Sequence, residues 1–157
     1  MTAAVAQRGF FSQRFCDLRV GDSFVTQGRT LTETDVVHFA HMTGDNLPVH
    51  TDRHWAQEHG LYGQRTANGL LVVSYTVGLL PLDHQHVVAL RRIRDLTFKR
   101  PALLGDTIRG AGRIERLLEL GPFGMVVCSL KTLNQHDEVV VRGSFEMLWS
   151  RDDPAEG

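Results

Sequence analysis

The run G-L-L-V-V-S-Y-T-V-G-L-L, from Gly69 to Leu80, has no polar face. A helix that is apolar all round is enclosed by protein, and Pro81 stops this one. At 12 residues it is well short of the ~20 that a bilayer span needs. The rest of the chain must therefore supply a wrapper for it, and that requirement limits the fold more than any other feature.

The wrapper is visible downstream. From Val87 the apolar period changes from helical to two, as strands require. Val139, Val141, Gly143, Phe145, Met147 and Trp149 share one face, and Arg142, Ser144 and Glu146 the other. The same alternation predicts strands near Leu90–Lys99, Asp106–Leu117 and Gly124–Leu133, with another near Ser23–Leu31 ahead of the first helix. Turn-forming segments at Leu104–Thr107, Leu120–Phe123 and Asn134–Glu138 separate them, which suits an antiparallel meander. A sheet needs its apolar face covered and the helix needs covering on nearly all sides. A curved antiparallel sheet of about five strands around a buried central helix meets both needs: an α+β fold, a single hotdog domain over residues 1–157 with its core at about 15–150. The tail R-D-D-P-A-E-G reads as frayed.

With 157 residues, 42% of them hydrophobic, the chain can bury such a core without metal or disulfide support. Seventeen basic and 18 acidic residues give a formal charge of −1 and no basic footprint for nucleic acid or an anionic membrane. Cys16 and Cys128 lack CxxC spacing, and the first residues lack the apolar run of a signal peptide. The expectation is a reduced, cytoplasmic protein.

The chemistry-bearing residues precede the apolar helix. Thr32 and Asp35 form a capping box, and Val36, Phe39, Ala40 and Thr43 keep the spacing of one helix face. Gly44 supplies the stop. A second short helix is expected from Thr51 or Asp52 to Gly60. Between the two, T-G-D-N-L-P-V-H must turn, because Pro48 cannot continue a helix and holds Leu47 extended. Asp45 and His50 then stand on either side of the turn, where a carboxylate and an imidazole can approach one point and share a water.

The run F-A-H-M-T-G-D-N-L-P-V-H-T-D, followed by A-N-G-L-L-V-V-S-Y-T-V-G-L-L and F-K-R-P-A-L-L-G-D-T-I, resembles the MaoC-like family of R-specific enoyl-CoA hydratases and dehydratases. The family pattern G-D-x-N-P-[LIV]-H is matched at Gly44, Asp45, Pro48, Val49 and His50, while Leu47 replaces the usual Asn and Asn68 stands where His is frequent. The resemblance implies hydration of a 2-enoyl thioester, or dehydration of a (3R)-3-hydroxyacyl thioester. Asp45 would take the proton of the attacking water. His50 would orient that water and help pass a proton to C2. The backbone N–H of Gly69 would receive the charge developing on the carbonyl oxygen, and Ser74 would hold the carboxylate, with Asn68 beside it. Leu47 would border the substrate. Coenzyme A or phosphopantetheine would enter only as part of the substrate, with no further cofactor.

Each assignment has a plainer counterpart. Asp45 is also an ordinary turn residue, His50 a loop histidine, Ser74 a hydroxyl bonded to its own helix and Gly69 a tight-packing position. Arg91, Arg92, Arg94 and Lys99 suit the phosphates of coenzyme A or of a carrier protein's pantetheine arm, and equally a solvated strand face. The histidines around His50 lack HExxH spacing, so no metal site is expected. A hotdog thioesterase and a non-catalytic acyl-binding or partner subunit are the alternative functions. A homodimer is expected, because a single wrapped sheet leaves an open edge.

Overall fold

In a computed structural model, residues 9–151 are described; the first eight residues and the tail after Arg151 lie outside them. Two short strands, β1 (Ser23–Val25) and β2 (Arg29–Thr30), precede three helices, α1 (Glu33–Thr43), α2 (Pro48–Thr51) and α3 (Arg53–Glu58). The apolar helix α4 (Gly69–Gly78) follows, and then four long strands: β3 (Val87–Phe98), β4 (Thr107–Leu120), β5 (Phe123–Leu133) and β6 (Val139–Ser150). The sheet is antiparallel in the order β1-β4-β5-β6-β3, with β2 also on β4. It curls around α4 in the expected hotdog arrangement.

Three elements differ from expectation. The strand foreseen over Ser23–Leu31 is two short ones, interrupted where Thr26 turns its hydroxyl to Gln27. The second helix forms as α3, and a further single turn of helix, α2, precedes it: Pro48 sits in the first turn of α2, where its missing N–H costs nothing, and Asp52 ends α2 and caps α3 by accepting the Trp55 N–H at 2.9 Å. The core also reaches further toward the N-terminus than residue 15. Phe10 and Phe11 pack on Phe24, and Phe11 stacks on Trp149, whose indole N–H donates to the Gln13 carbonyl at 2.9 Å. Burying an aromatic ring such as Phe11 contributes roughly 1.5–3 kcal/mol.

The enclosure of α4 is incomplete. Leu71, Val72, Val73 and Thr76 are buried against the sheet, but Leu70, Ser74 and Gly78, four residues apart, form an exposed stripe. Six strands close only part of the circle around one helix.

A polar strut joins α4 to the start of α1. The capping box forms as expected, with the Thr32 hydroxyl accepting from the Asp35 N–H. Asp35 also accepts a 2.6 Å hydrogen bond from the Tyr75 hydroxyl and a 3.0 Å one from Arg29, whose guanidinium lies 3.7 Å above the Tyr75 ring. Burial works to raise the Asp35 pKa, yet the hydrogen bonds from Tyr75, Thr32 and Arg29 win and bring it from 3.8 down to about 2. A depressed carboxyl contributes stability above its unfolded value and loses it as pH falls through the folded one. Tyr75→Phe is therefore expected to cost ~1–2 kcal/mol at pH 7, with a smaller difference from wild type near pH 2. Urea midpoints at the two pH values check this.

Candidate active site

Gly44 closes α1 in the left-handed conformation (φ 79°), its N–H bonded to the Ala40 carbonyl. That stop releases Asp45 from the helix, and Pro48 starts α2 three residues later. His50 therefore lies on α2 rather than in a loop, with its ring buried. Its Nδ1 is 2.8 Å from the Thr66 carbonyl. A carbonyl only accepts, so Nδ1 carries a proton and Nε2 faces the site, 3.9 Å from Asp45 Oδ2. A gap of that width suits one bridging water.

Asn68 completes the group. Its Nδ2 donates to Asp45 Oδ2 at 2.8 Å and to the Asp45 carbonyl at 3.3 Å. Asn68 precedes α4 and would ordinarily cap it through its side-chain oxygen, but the amide is turned to Asp45 and no side chain caps the helix. The N–H groups of Gly69, Leu70 and Leu71 find no protein acceptor among the described residues. An uncapped helix start with its dipole end exposed is suited to an anion.

Asp45, Gly69 and Leu70 border a 390 Å³ cleft, with Thr66, Phe98, Lys99 and Val141 among its other walls; His50 and Asn68 are buried and are not among those walls. The two polar features, the Asp45 carboxylate and the α4 start, thus open onto one space whose walls are partly apolar and partly polar, with Lys99 and Arg100 among them. Gly69 is constrained by contact, since a Cβ there would come within 2.5 Å of the Phe98 ring. Elsewhere the nucleophile inventory is thin: burial pushes the Cys128 thiol up to about 12.

Several sequence assignments are relocated. Ser74 does not hold the carboxylate: it is exposed, and its hydroxyl donates to the Leu70 carbonyl of its own helix at 2.8 Å. Residue 68, not residue 74, reaches Asp45, because the carboxylate lies before the first turn of α4. Leu47 is 59% exposed and does not line the cleft. Arg91, Arg92 and Arg94 are absent from the cleft walls too; all three converge on Glu146, at 3.1, 3.7 and 2.7 Å. Glu146, which the alternation places on a solvated face, is only 1% exposed because those arginines cover it. Lys99 does line the cleft, together with Arg100. Thr66 and Phe98 were not foreseen: a backbone carbonyl that fixes a histidine leaves no mark in a sequence. Among the described residues no cluster of His, Cys, Asp and Glu is arranged to hold a metal ion, and no helix is long and apolar enough to cross a membrane.

Comparison with known proteins identifies the family. The protein MaoC of Klebsiella aerogenes is 36% identical over 100 residues, 63% of this chain but only 30% of that protein. A 3-hydroxybutyryl-CoA dehydratase of Methylorubrum extorquens is 29% identical over 129 residues, covering 82% of this chain and 79% of that one. An (R)-specific enoyl-CoA hydratase of Rhodospirillum rubrum is 26% identical over 134 residues, covering 85% and 90%. Among solved structures, a protein described as a monoamine oxidase regulatory protein, from Archaeoglobus fulgius, superposes with a TM-score of 0.82 at 30% identity over 90% of this chain and 96% of that one. A Mycobacterium tuberculosis protein with a double hotdog fold superposes at 0.76 with 24% identity, over 89% of this chain and 44% of that one, a likeness of fold. The family model described as "MaoC like domain" matches residues 17–117, which span Asp45, His50, Asn68 and the whole of α4, and the chain belongs to that family.

Proposed function

We propose that this chain interconverts a 2-enoyl thioester and a (3R)-3-hydroxyacyl thioester by syn addition and elimination of water. The observation that carries the proposal is the convergence of Asp45 and His50 on one water-sized gap beside a helix start left without a cap. Hydratases and dehydratases among the relatives supply the reaction class and the R stereochemistry.

In hydration the thioester carbonyl oxygen rests against the first-turn N–H groups of α4, beginning with Gly69. Attack of water on C3 moves the C2–C3 π electrons toward that oxygen, and the enolate charge develops where the donors already point. Asp45 accepts the proton leaving the water and passes it to His50 Nε2, the nitrogen left bare by the Nδ1–H bond to Thr66, which delivers it to C2. Both groups stand on one side of the substrate, which makes the addition syn. Lys99 and Arg100 at the cleft rim meet the phosphates of coenzyme A or of a pantetheine arm. They take the place first given to Arg91, Arg92 and Arg94, which gather around Glu146 away from the cleft walls; Arg100 also pairs with Glu138 at 3.4 Å.

The working unit is a homodimer. Strand β3 ends the sheet with one side unpaired, exposing Val88, Leu90 and Ile93 along it. The open stripe of α4 faces outward as well, with Leu70 61% exposed. A second copy would cover this apolar surface.

Crotonyl-CoA tests the reaction directly: loss of enoyl absorbance without release of thiol is expected, whereas thiol release would identify a thioesterase and overturn the proposal. Asp45→Asn and His50→Ala should each lower turnover ~10²–10⁴-fold with the circular dichroism spectrum unchanged; a variant that kept a tenth of wild-type rate would remove that residue's role.

At Gly69 the added Cβ of Gly69→Ala should push Phe98 into the cleft and lower turnover by at least ~10-fold. A second change, Phe98→Leu, should restore much of it. Gly78, at the far end of α4 and outside the cleft walls, serves as the control: Gly78→Ala alters only the stripe that a second copy would cover, and turnover per assembled dimer should stay intact.

For the dimer, light scattering should give twice the 17.6 kDa chain mass, and Ile93→Glu on the β3 edge should shift it toward the monomer.

A further inference from the structure

One buried polar atom beside Asp45 has no partner. Asn68 is 1% exposed, and its Oδ1 makes no hydrogen bond among the described residues, although its Nδ2 makes two. The orientation of the amide is fixed, since both neighbours of Nδ2 are acceptors, a carboxylate and a carbonyl. A buried carbonyl oxygen without a donor costs roughly 1–3 kcal/mol, and such an atom calls for a donor that arrives with a ligand or water. The two ends of one amide lie only about 2.3 Å apart. The orphan oxygen is therefore in the immediate neighbourhood of the Asp45 carboxylate.

The hydration step requires such an acceptor. The attacking water has two protons and keeps one of them as the hydroxyl hydrogen of the product. Asp45 takes the proton that leaves. His50 Nε2 receives that proton on its way to C2 and cannot also accept the one that stays.

We propose that Asn68 Oδ1 accepts the retained proton, so that Asn68 orients the water and recognises the 3-hydroxyl while its Nδ2 holds Asp45. In hydration the water oxygen forms the bond to C3 and the π pair moves to the enolate. One proton passes to Asp45 and on through His50 Nε2 to C2, and the other remains on oxygen, bonded to Asn68. Elimination runs the same steps backward, with the hydroxyl already bonded to Asn68 before it leaves. The inference rests on the hydratase reading above.

The test compares two non-reacting probes, the thioethers S-(3R-3-hydroxybutyl)-CoA and S-butyl-CoA, which lack the carbonyl needed for elimination. Calorimetry on the intact wild-type protein should show the hydroxylated probe binding ~10-fold or more tightly, the scale of one well-made hydrogen bond to a buried acceptor. In Asn68→Ala, and in the near-isosteric Asn68→Leu, that ratio should fall several-fold toward one while S-butyl-CoA binding is retained. A merely structural role would weaken both probes alike and leave the ratio unchanged, and that result would overturn the proposal. Equal binding of the two probes by the wild type would overturn it as well, without need of a variant. The hydratase reading is judged separately. A wild type that hydrates crotonyl-CoA while Asn68→Ala keeps the wild-type ratio removes the Asn68 role alone, whereas a wild type that hydrates no enoyl thioester removes both.

Discussion

Enclosure of one short apolar helix governs this molecule. α4 has ten residues, four of them buried, and no charge anywhere along it. A helix of this composition is stable only inside a wrapper, because isolated helices of that length are marginal in water. The long antiparallel strands provide the wrapper. The first turn of α4 is where the enclosure must open, since any cap there would have to come from a side chain that the site uses otherwise.

That diversion explains how unmet polar groups are distributed. Glu146, with a fully buried carboxylate, is surrounded by three arginines and has partners on both oxygens. Asp35 likewise has several donors. At the start of α4, by contrast, the side-chain Oδ1 of Asn68 and the first-turn N–H groups stand without protein partners among the described residues. Native proteins leave few such groups, and here an acceptor and several donors are left together, close to the Asp45–His50 pair.

The sequence shows the parts of this arrangement that depend on period and punctuation. The apolar run, the alternation of β6, the capping box at Thr32 and the Gly44 stop each follow from local rules, and the structure contains all of them. The closeness of Asp45 and His50 was legible too, because a glycine stop followed by a helix-starting proline fixes the path between them. What escaped is non-local. Nothing near Ser74 reveals that its hydroxyl turns back on Leu70, or that residue 68 reaches the carboxylate instead. Period-two alternation places Glu146 in solvent, and only the register of β6 on β3 brings the arginines over it. Phe10 and Phe11 precede every periodic segment, so their place against Trp149 had no local signal.

Helix α1 is attached to α4 at both extremities by side chains: through Asp35 and Tyr75 near its start, and through Asp45 and Asn68 just past its end. It resembles a beam pinned at two supports rather than one hinged at a single point. Rocking about either support strains the other, so the position of the Asp45 carboxylate depends on the stiffness of an eleven-residue rod and not on the flexible turn that carries it. The helix that leads to Asp45 is thus held at its far end by Tyr75, a residue outside the cleft walls.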